Sequence, residues 1–284
     1  MKRKTISSKR LHTYIRAIIQ LMFFIFFPSA FTTAFSGIKY IFTQIGAGQP
    51  IVWTSFITVL LALCAYTIIF GRFFCGYACA FGSLGDAIHA AYIFICKKLK
   101  KKPIQIKKNW RKALSLVKYG VLFIIVLLCF TGVYSKITGW NPWDVFSMLR
   151  AGNFKLGGYI LGCIILFFIL IGMALCERFF CRFLCPMGAI FSILPVFPLF
   201  SVRRKKENCV KGCSACERCC PSDLIIPEEG EWTVNGDCFQ CQKCIDICPK
   251  KNTHSGRLFF KGNEIWFTIL RAVVLVVILI LAGI

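Results

Sequence analysis

Cys238-Phe-Gln-Cys241-Gln-Lys-Cys244-Ile-Asp-Ile-Cys248-Pro249 sets four thiols at x2, x2 and x3 spacing ahead of a proline. Close spacing lets one loop wrap an iron–sulfur cubane with three thiolates, while the cysteine before the proline reaches over to a neighbouring cluster. Zinc also takes C-x2-C pairs, but it needs four ligands in all. Three close cysteines with a fourth before Pro is not its usual layout. So Cys238, Cys241 and Cys244 are expected on one cluster with a cysteine from elsewhere, and Cys248 on another.

The missing ligands lie just upstream, in Cys209-Val-Lys-Gly-Cys213-Ser-Ala-Cys216-Glu-Arg-Cys219-Cys220-Pro221. Nine of the chain's eighteen cysteines fall between Cys209 and Cys248. Two registers fit. Cys209, Cys213, Cys216 and Cys220 keep the x3 gap and the Cys-Pro ending, with x3 where x2 is expected. Cys213, Cys216 and Cys219 keep x2 spacing, but Cys220 then follows the third ligand directly. Consecutive Cα atoms are only about 3.8 Å apart, a short reach for ligands of two clusters. The first register is preferred, and it leaves Cys219 without a role. Two [4Fe-4S] clusters are thus expected on Cys209, Cys213, Cys216, Cys220, Cys238, Cys241, Cys244 and Cys248.

The rest of the chain is apolar. Of 284 residues 57% are hydrophobic and 17% charged, against about 25% charged in ordinary soluble domains. The formal charge of +23 is uneven. Residues 207–264 hold nine of the twelve carboxylates against seven Lys or Arg, so the positive excess lies elsewhere. It flanks apolar runs, which fits anchoring beside a membrane and membrane lipid, not nucleic acid. Disulfide scaffolds are small and secreted. Cysteines beside Lys and Arg in a long apolar chain are instead expected as thiolates facing the cytoplasm.

A span needs roughly 20 mostly apolar residues. Residues 14–36, 51–70, 114–135, 157–176 and 265–284 qualify, and Arg271, near the start of the last, is placed to snorkel to the interface. The run Ala17–Phe27 after a basic start also resembles a signal peptide, but it continues nearly to Phe35 and is read as a span. Lys and Arg crowd residues 2–16, 97–112 (Lys107 among them) and 203–206, whereas 37–50 and 136–156 have few, Lys155 being one. The N-terminus, the 71–112 loop and residues 177–264 are therefore expected in the cytoplasm. The chain's end is then outside or in the far leaflet.

A repeat runs through this core. Arg72-Phe-Phe-Cys75-Gly-Tyr-Ala-Cys79-Ala80-Phe-Gly82 recurs 106 residues later as Arg178-Phe-Phe-Cys181-Arg-Phe-Leu-Cys185-Pro186-Met-Gly188. Each copy follows a second span, so two tandem two-helix units are expected, with 84–96 and 189–200 too short to span. If helical, Cys75/Cys79 and Cys181/Cys185 each share a face. Arg72, Arg178 and Arg182 favour their thiolates. Four thiolates suffice for one further iron–sulfur cluster at the membrane face; a dithiol pair, lipidation and simple packing are the alternatives. Cys64, Cys96, Cys129, Cys163 and Cys176 are isolated and read as packing. Trp140-Asn-Pro-Trp143-Asp144 reads as an interfacial anchor, or as a quinol pocket or partner surface. His12, His89 and His254 are too scattered for a haem or second metal site, and no nucleotide or hydrolase motif is present.

Taken together these residues resemble the membrane-bound 4Fe-4S polyferredoxins related to the quinol-dehydrogenase subunit of periplasmic nitrate reductase and to the nitrous-oxide reductase regulator and electron donor. Cys181-x3-Cys185-Pro186 matches that family's motif. Cys75-x3-Cys79 is followed by Ala80 instead of Pro. The resemblance implies an all-α membrane protein of four to five transmembrane helices, multi-pass in a bacterial cytoplasmic (inner) membrane, with a small cytoplasmic ferredoxin-like domain. The expected divisions are 1–96, first repeat; 97–112, basic loop; 113–206, second repeat; 207–262, two-[4Fe-4S] domain; and 263–284, last helix. The expected role is electron transfer between a cytoplasmic donor or the quinone pool and a membrane or periplasmic reductase. That makes it a quinol-dehydrogenase-like subunit, not a stand-alone enzyme. A redox protein, reductase or flavoprotein, is the expected partner, and flavin enters only through it. A membrane redox sensor or maturation factor is the alternative.

Overall fold

The computed structural model describes residues 2–104, 108–137, 139–154, 157–197, 200–228, 231, 234–256 and 264–284. Lys107 and Lys155 of the basic pattern lie outside them. The order is α1 Lys2–Phe26, α2 Ala30–Gly46, α3 Ser55–Phe70, a π turn Phe74–Ala78, α4 Ala80–Lys98, α5 Lys108–Leu114, α6 Val117–Phe130, α7 Pro142–Arg150 and α8 Ile160–Leu175. A second π turn, Phe180–Leu184, leads to α9 Pro186–Ile193, β1 Val202–Arg204, α10 Ala215–Arg218, α11 Lys243–Ile247, β2 Thr253–Ser255 and α12 Glu264–Leu281. The fold is mostly helical, as expected.

The spans differ in detail from the sequence reading. Trp110–Phe130 and Glu264–Leu281 are long and apolar enough to cross a membrane, and Leu11–Phe26 with Ala30–Gly46 forms a pair bent by 58°. The expected single span 14–36 breaks because Pro28 supplies no N–H to the helix ladder, and α2 then runs on through the stretch read as an outer loop. Ser55–Phe70 and Ile160–Leu175 are apolar helices of 16 residues each. Residues 84–96 belong to a 19-residue helix, α4.

The chain divides into two compact units. One comprises residues 29–60 and 84–189. Here α2 packs on α6 and α7 on α8. Phe35 meets Trp143 edge-on at 5.0 Å, and Phe31 meets Phe180 at 6.2 Å. The other unit comprises 1–28, 61–83 and 190–284, and it carries all nine cysteines of the 209–248 run. In it β1 and β2 pair antiparallel, Arg203 opposite His254, and α10 packs on α11. Phe200 bridges the rings of Phe70 and Phe267 at 5.0 and 5.6 Å.

The two repeat motifs share a backbone. Cys79 N–H donates to Phe74 O and Cys185 N–H to Phe180 O, both at 2.9 Å, closing five-residue turns. Cys79 and Cys185 then extend (ψ 122° and 116°) and start α4 and α9. The expected shared helical face is therefore corrected to a π turn. Pro186 explains the extension of Cys185, since the residue before a proline avoids the helical region. Cys79 adopts the same conformation ahead of Ala80.

Candidate iron–sulfur site

The loop Cys238–Cys244 owes its curl to two residues with left-handed backbones, Gln240 (φ 52°) and Gln242 (φ 59°), on either side of Cys241. L-residues rarely adopt this conformation, so it is held by its surroundings, and both side chains are buried. Gln242 Oε1 accepts from Thr268 Oγ1 at 2.6 Å and Tyr77 OH at 3.3 Å, and it lies 2.8 Å from His12 Nε2. Its amide donates to Ser255 Oγ at 3.2 Å. His12 Nδ1 lies 2.8 Å from Asp246, between Cys244 and Cys248. Arg16 reaches Cys241 O at 3.4 Å.

The curled loop closes over a cavity lined by Cys220, Cys238, Cys241 and Cys244, with Leu224, Ile226 and Phe239 among its apolar walls. So Cys220, the Cys-Pro residue of the upstream run, comes to the three close cysteines of the downstream run. Burial, then the neighbouring Cys241, pushes the Cys238 thiol up to about 12, with backbone N–H donation from Gln240 opposing. Cys244 is raised well above the ordinary thiol value by burial and by four neighbouring cysteines, and Cys220 is raised mainly by burial. Such thiols are poor anions by themselves and become thiolates when iron supplies the positive charge. The donor set and apolar walls fit a cubane. Among the described residues no three His, Cys, Asp or Glu converge as they would on one ion; a cubane gives each thiolate its own iron.

Of the other expected ligands, Cys209, Cys216 and Cys248 lie beside β1 and β2. Asn252 N–H donates to Cys248 Sγ at 3.3 Å, and its side-chain amide donates to the carbonyl of Asn208, next to Cys209. Lys205 N–H donates to Asn252 O at 3.3 Å, and the Cys209 thiol lies 3.6 Å from Lys205 O. Asn252 thus ties the Cys248 loop to the Cys209 loop. Burial raises Cys248, but donors from Asn252, Thr253 and Lys250 outweigh it and lower its thiol. Arg204 Nη1 lies 3.9 Å from Cys216 Sγ. Cys213 is exposed. Cys219 is spent differently: its thiol donates to Cys216 O at 3.2 Å, and burial, then Cys241, pushes it up to about 12.

Cys75 and Cys79 sit in the same unit as these loops. Gly76 lies so close to Phe239 that a Cβ there would stand 2.3 Å from the Phe239 carbonyl. Arg72 donates to Asp237, beside Cys238, at 3.2 Å and to Ser192 Oγ at 3.0 Å, and it stacks 4.6 Å from the Phe239 ring. Cys181 and Cys185 belong to the other unit. There Gly188 N–H donates to Cys185 Sγ at 3.2 Å, and Arg178 pairs with Asp86 at 2.5 Å.

Sequence reasoning missed three residues. His12 was one of three scattered histidines, yet it packs on Gln242 and Asp246. Gln242 is a four-way hub. Arg271 does not snorkel: it is fully buried, because the rings of Phe73 and Phe267 close over it. Only the lone cation in an apolar run hinted at this.

Thiol-lined loops on an apolar helical body define a membrane-associated iron–sulfur electron carrier. The family described as a 4Fe-4S binding domain matches residues 52–103 and 160–206, the stretches that carry Cys75/Cys79 and Cys181/Cys185. The uncharacterized protein MJ0749 of Methanocaldococcus jannaschii is 32% identical over 74% of this chain and 72% of its own. Protein MJ0750 of the same organism is 30% identical over 83% and 92%. The ferredoxin-type protein NapH of Haemophilus influenzae is 27% identical over 66% and 62%. No solved structure matches. The chain belongs to this family of membrane-associated, ferredoxin-type 4Fe-4S electron-transport proteins.

Proposed function

We propose that this protein relays single electrons through two [4Fe-4S] clusters held on the cytoplasmic side of a bacterial inner membrane. Cys238, Cys241, Cys244 and Cys220 hold one cluster, and Cys209, Cys213, Cys216 and Cys248 hold the other. The observation that carries the proposal is the single cavity lined by Cys220, Cys238, Cys241 and Cys244, the crossed pattern that two-cluster loops use. The Asn252 tie between the Cys209 and Cys248 loops supports the second set. When bound, the clusters supply one-electron chemistry. The chain's own residues bury them, curl the loops and set the surrounding charge.

Electrons pass between a cytoplasmic donor or the quinone pool and a reductase partner at the membrane. The basic loops support the cytoplasmic orientation. An apolar cavity in the α6–α8 region, lined by Ile125, Leu128, Tyr134, Asn141, Trp143 and Phe180, supports a quinol as one partner. A few polar groups in an otherwise apolar pocket suit a ring with two oxygens and an isoprenoid tail. Cys75/Cys79 and Cys181/Cys185 are proposed to serve the same redox path, supported by their matching turns and, for Cys75/Cys79, by the contact of Gly76 with the Phe239 loop.

Iron and sulfide content and electron paramagnetic resonance of anaerobically purified protein test this. Cys220→Ser and Cys209→Ser are each expected to lose one cluster, halving the iron. Cys219→Ser is expected to keep both. Loss of a cluster in Cys219→Ser, with none lost in Cys209→Ser, would overturn the ligand sets in favour of the alternative register.

A further inference from the structure

Arg271 sits in α12, a helix long and apolar enough to cross a membrane. Its residue exposure is 0%. Among the described residues none of its three guanidinium nitrogens has a hydrogen-bond acceptor, and no carboxylate forms an ion pair with it. Its neighbours are rings: Phe267 at 4.2 Å and Phe73 at 4.8 Å from the guanidinium carbon. Glu264, two turns earlier on α12, accepts the backbone N–H of Ser255 at 2.8 Å; its charge is felt at Arg271, but the two form no ion pair. Arginine keeps its charge in proteins. A cation at such a site calls for an anion, and an ionisable group within a span points to function.

The surroundings show which anion. Thr268, one turn before Arg271, donates to Gln242 Oε1 at 2.6 Å, and Gln242 lines the four-cysteine cavity between Cys241 and Cys244. Phe73, which covers the guanidinium, stacks on Tyr77 at 4.4 Å, and Tyr77 OH donates to the same Gln242 oxygen. Tyr66 OH donates to the Arg271 carbonyl at 2.9 Å and fixes this turn of the helix. Arg271 interacts electrostatically with Tyr77, Tyr66 and Glu264 and, less strongly, with Cys238. Of the other arginines at this loop, Arg72 already has the carboxylate of Asp237, and Arg16 donates to Cys241 O. Arg271 is a fully buried cation beside this loop whose guanidinium has no acceptor among the described residues, so its charge is available to the cavity's contents.

We infer that Arg271 is the buried counter-charge of the cluster held by Cys238, Cys241, Cys244 and Cys220, and that it raises the reduction potential of that cluster. The inference rests on the two-cluster reading above. A cubane with four thiolate ligands is anionic in both oxidation states and gains one further negative charge when it accepts an electron from its donor. No bond forms and no proton moves in that step. A fixed cation behind apolar rings, where water screens little, stabilises the reduced state more than the oxidised one.

The test is a potentiometric titration of the full-length protein, followed by electron paramagnetic resonance, for wild type, Arg271→Met and Arg271→Lys. Arg271→Met is expected to lower the reduced-to-oxidised ratio of one cluster at least tenfold at the wild-type midpoint, a fall of about 59 mV for one electron. The other cluster stays put, and Arg271→Lys, which keeps the charge, stays near wild type. Unchanged midpoints with both clusters present would overturn the inference, as would an equal shift of both. If Arg271→Met does not assemble, Phe267→Leu decides. It opens one face of the guanidinium to screening, so the same midpoint must fall; an unmoved midpoint overturns the inference. Wild-type protein without two cubane signals would instead overturn the two-cluster reading itself.

Discussion

Single atoms set the geometry around Cys238. Position 76 is glycine in the first repeat and Arg182 in the second, although the four residues before it match. The reason lies across the contact, where the Phe239 carbonyl occupies the space of a Cβ at 76. Gly76→Ala forces backbone to move, and overpacking of this kind costs about 1–3 kcal/mol. We expect that variant to lose or broaden the signal of the cluster beside Phe239 while the Cys209 cluster persists, checked by paramagnetic resonance and iron content. Gln242 shows the same dependence on contacts. Nothing in Cys241-Gln-Lys-Cys244 marks a residue that meets His12, Tyr77, Ser255 and Thr268, since those four are scattered from residue 12 to residue 268. Arg271 was visible as an oddity in an apolar helix, but its burial needed the rings of Phe73 and Phe267 to be in place.

Elements carry the next level. The π turns at Phe74–Ala78 and Phe180–Leu184 lie in the same Arg-Phe-Phe-Cys-x3-Cys pattern 106 residues apart, so the repetition was legible while its conformation was not. A π turn depends on one extra residue in a helical circuit, and i,i+4 spacing gives no sign of it. The break of the first apolar run was foreseeable from Pro28, yet that run reads as continuous by hydropathy alone. The α6–α7–α8 region shows what periodicity omits. Trp140-Asn-Pro-Trp143-Asp144 is not simply a loop anchor: Pro142 opens α7, Trp143 is buried, and Asn141 donates to Asp144 at 2.9 Å. Tyr134→Phe removes one hydroxyl from the cavity there without changing its shape. A lost hydrogen bond to a ligand is worth about 1 kcal/mol. The apparent affinity for a water-soluble quinol analogue should fall roughly fivefold, read from the rate of cluster reduction, with cluster content unchanged. An unaltered quinol dependence would remove this cavity from the electron path.

At the scale of the whole molecule, cluster binding and folding are linked. Segments from α1, the Cys75–Cys79 turn, the two cysteine runs and α12 meet in one compact unit. With the clusters stripped by chelation under oxidant, the thiols of Cys238 and Cys219 are pushed up to about 12 from an ordinary value near 9.0, mainly by burial. The folded apoprotein then keeps protons that the unfolded chain releases above about pH 9. Its stability is complete below that pH and falls as pH rises toward 12. The cluster-bound protein, in which Cys238 is already a thiolate, is expected to lack the Cys238 share of this loss and to keep that of Cys219, which holds no iron in the proposed ligand sets. Circular dichroism melts of the two forms between pH 8 and about 11 check it; parallel profiles would contradict the buried-thiol account.

The sequence alone determined the chemistry and its setting. Cysteine spacing is local, and the number of thiolates a loop can offer is written in adjacent residues. Apolar run length and Lys/Arg bias are local sums as well. Tertiary structure decided what depends on distant partners. It brought Cys220 to Cys238, Cys241 and Cys244, and it tied Cys248 to Cys209 through Asn252. It required glycine at position 76 and closed two rings over Arg271. These outcomes follow from packing between segments up to about 200 residues apart, and no window of sequence carries that information.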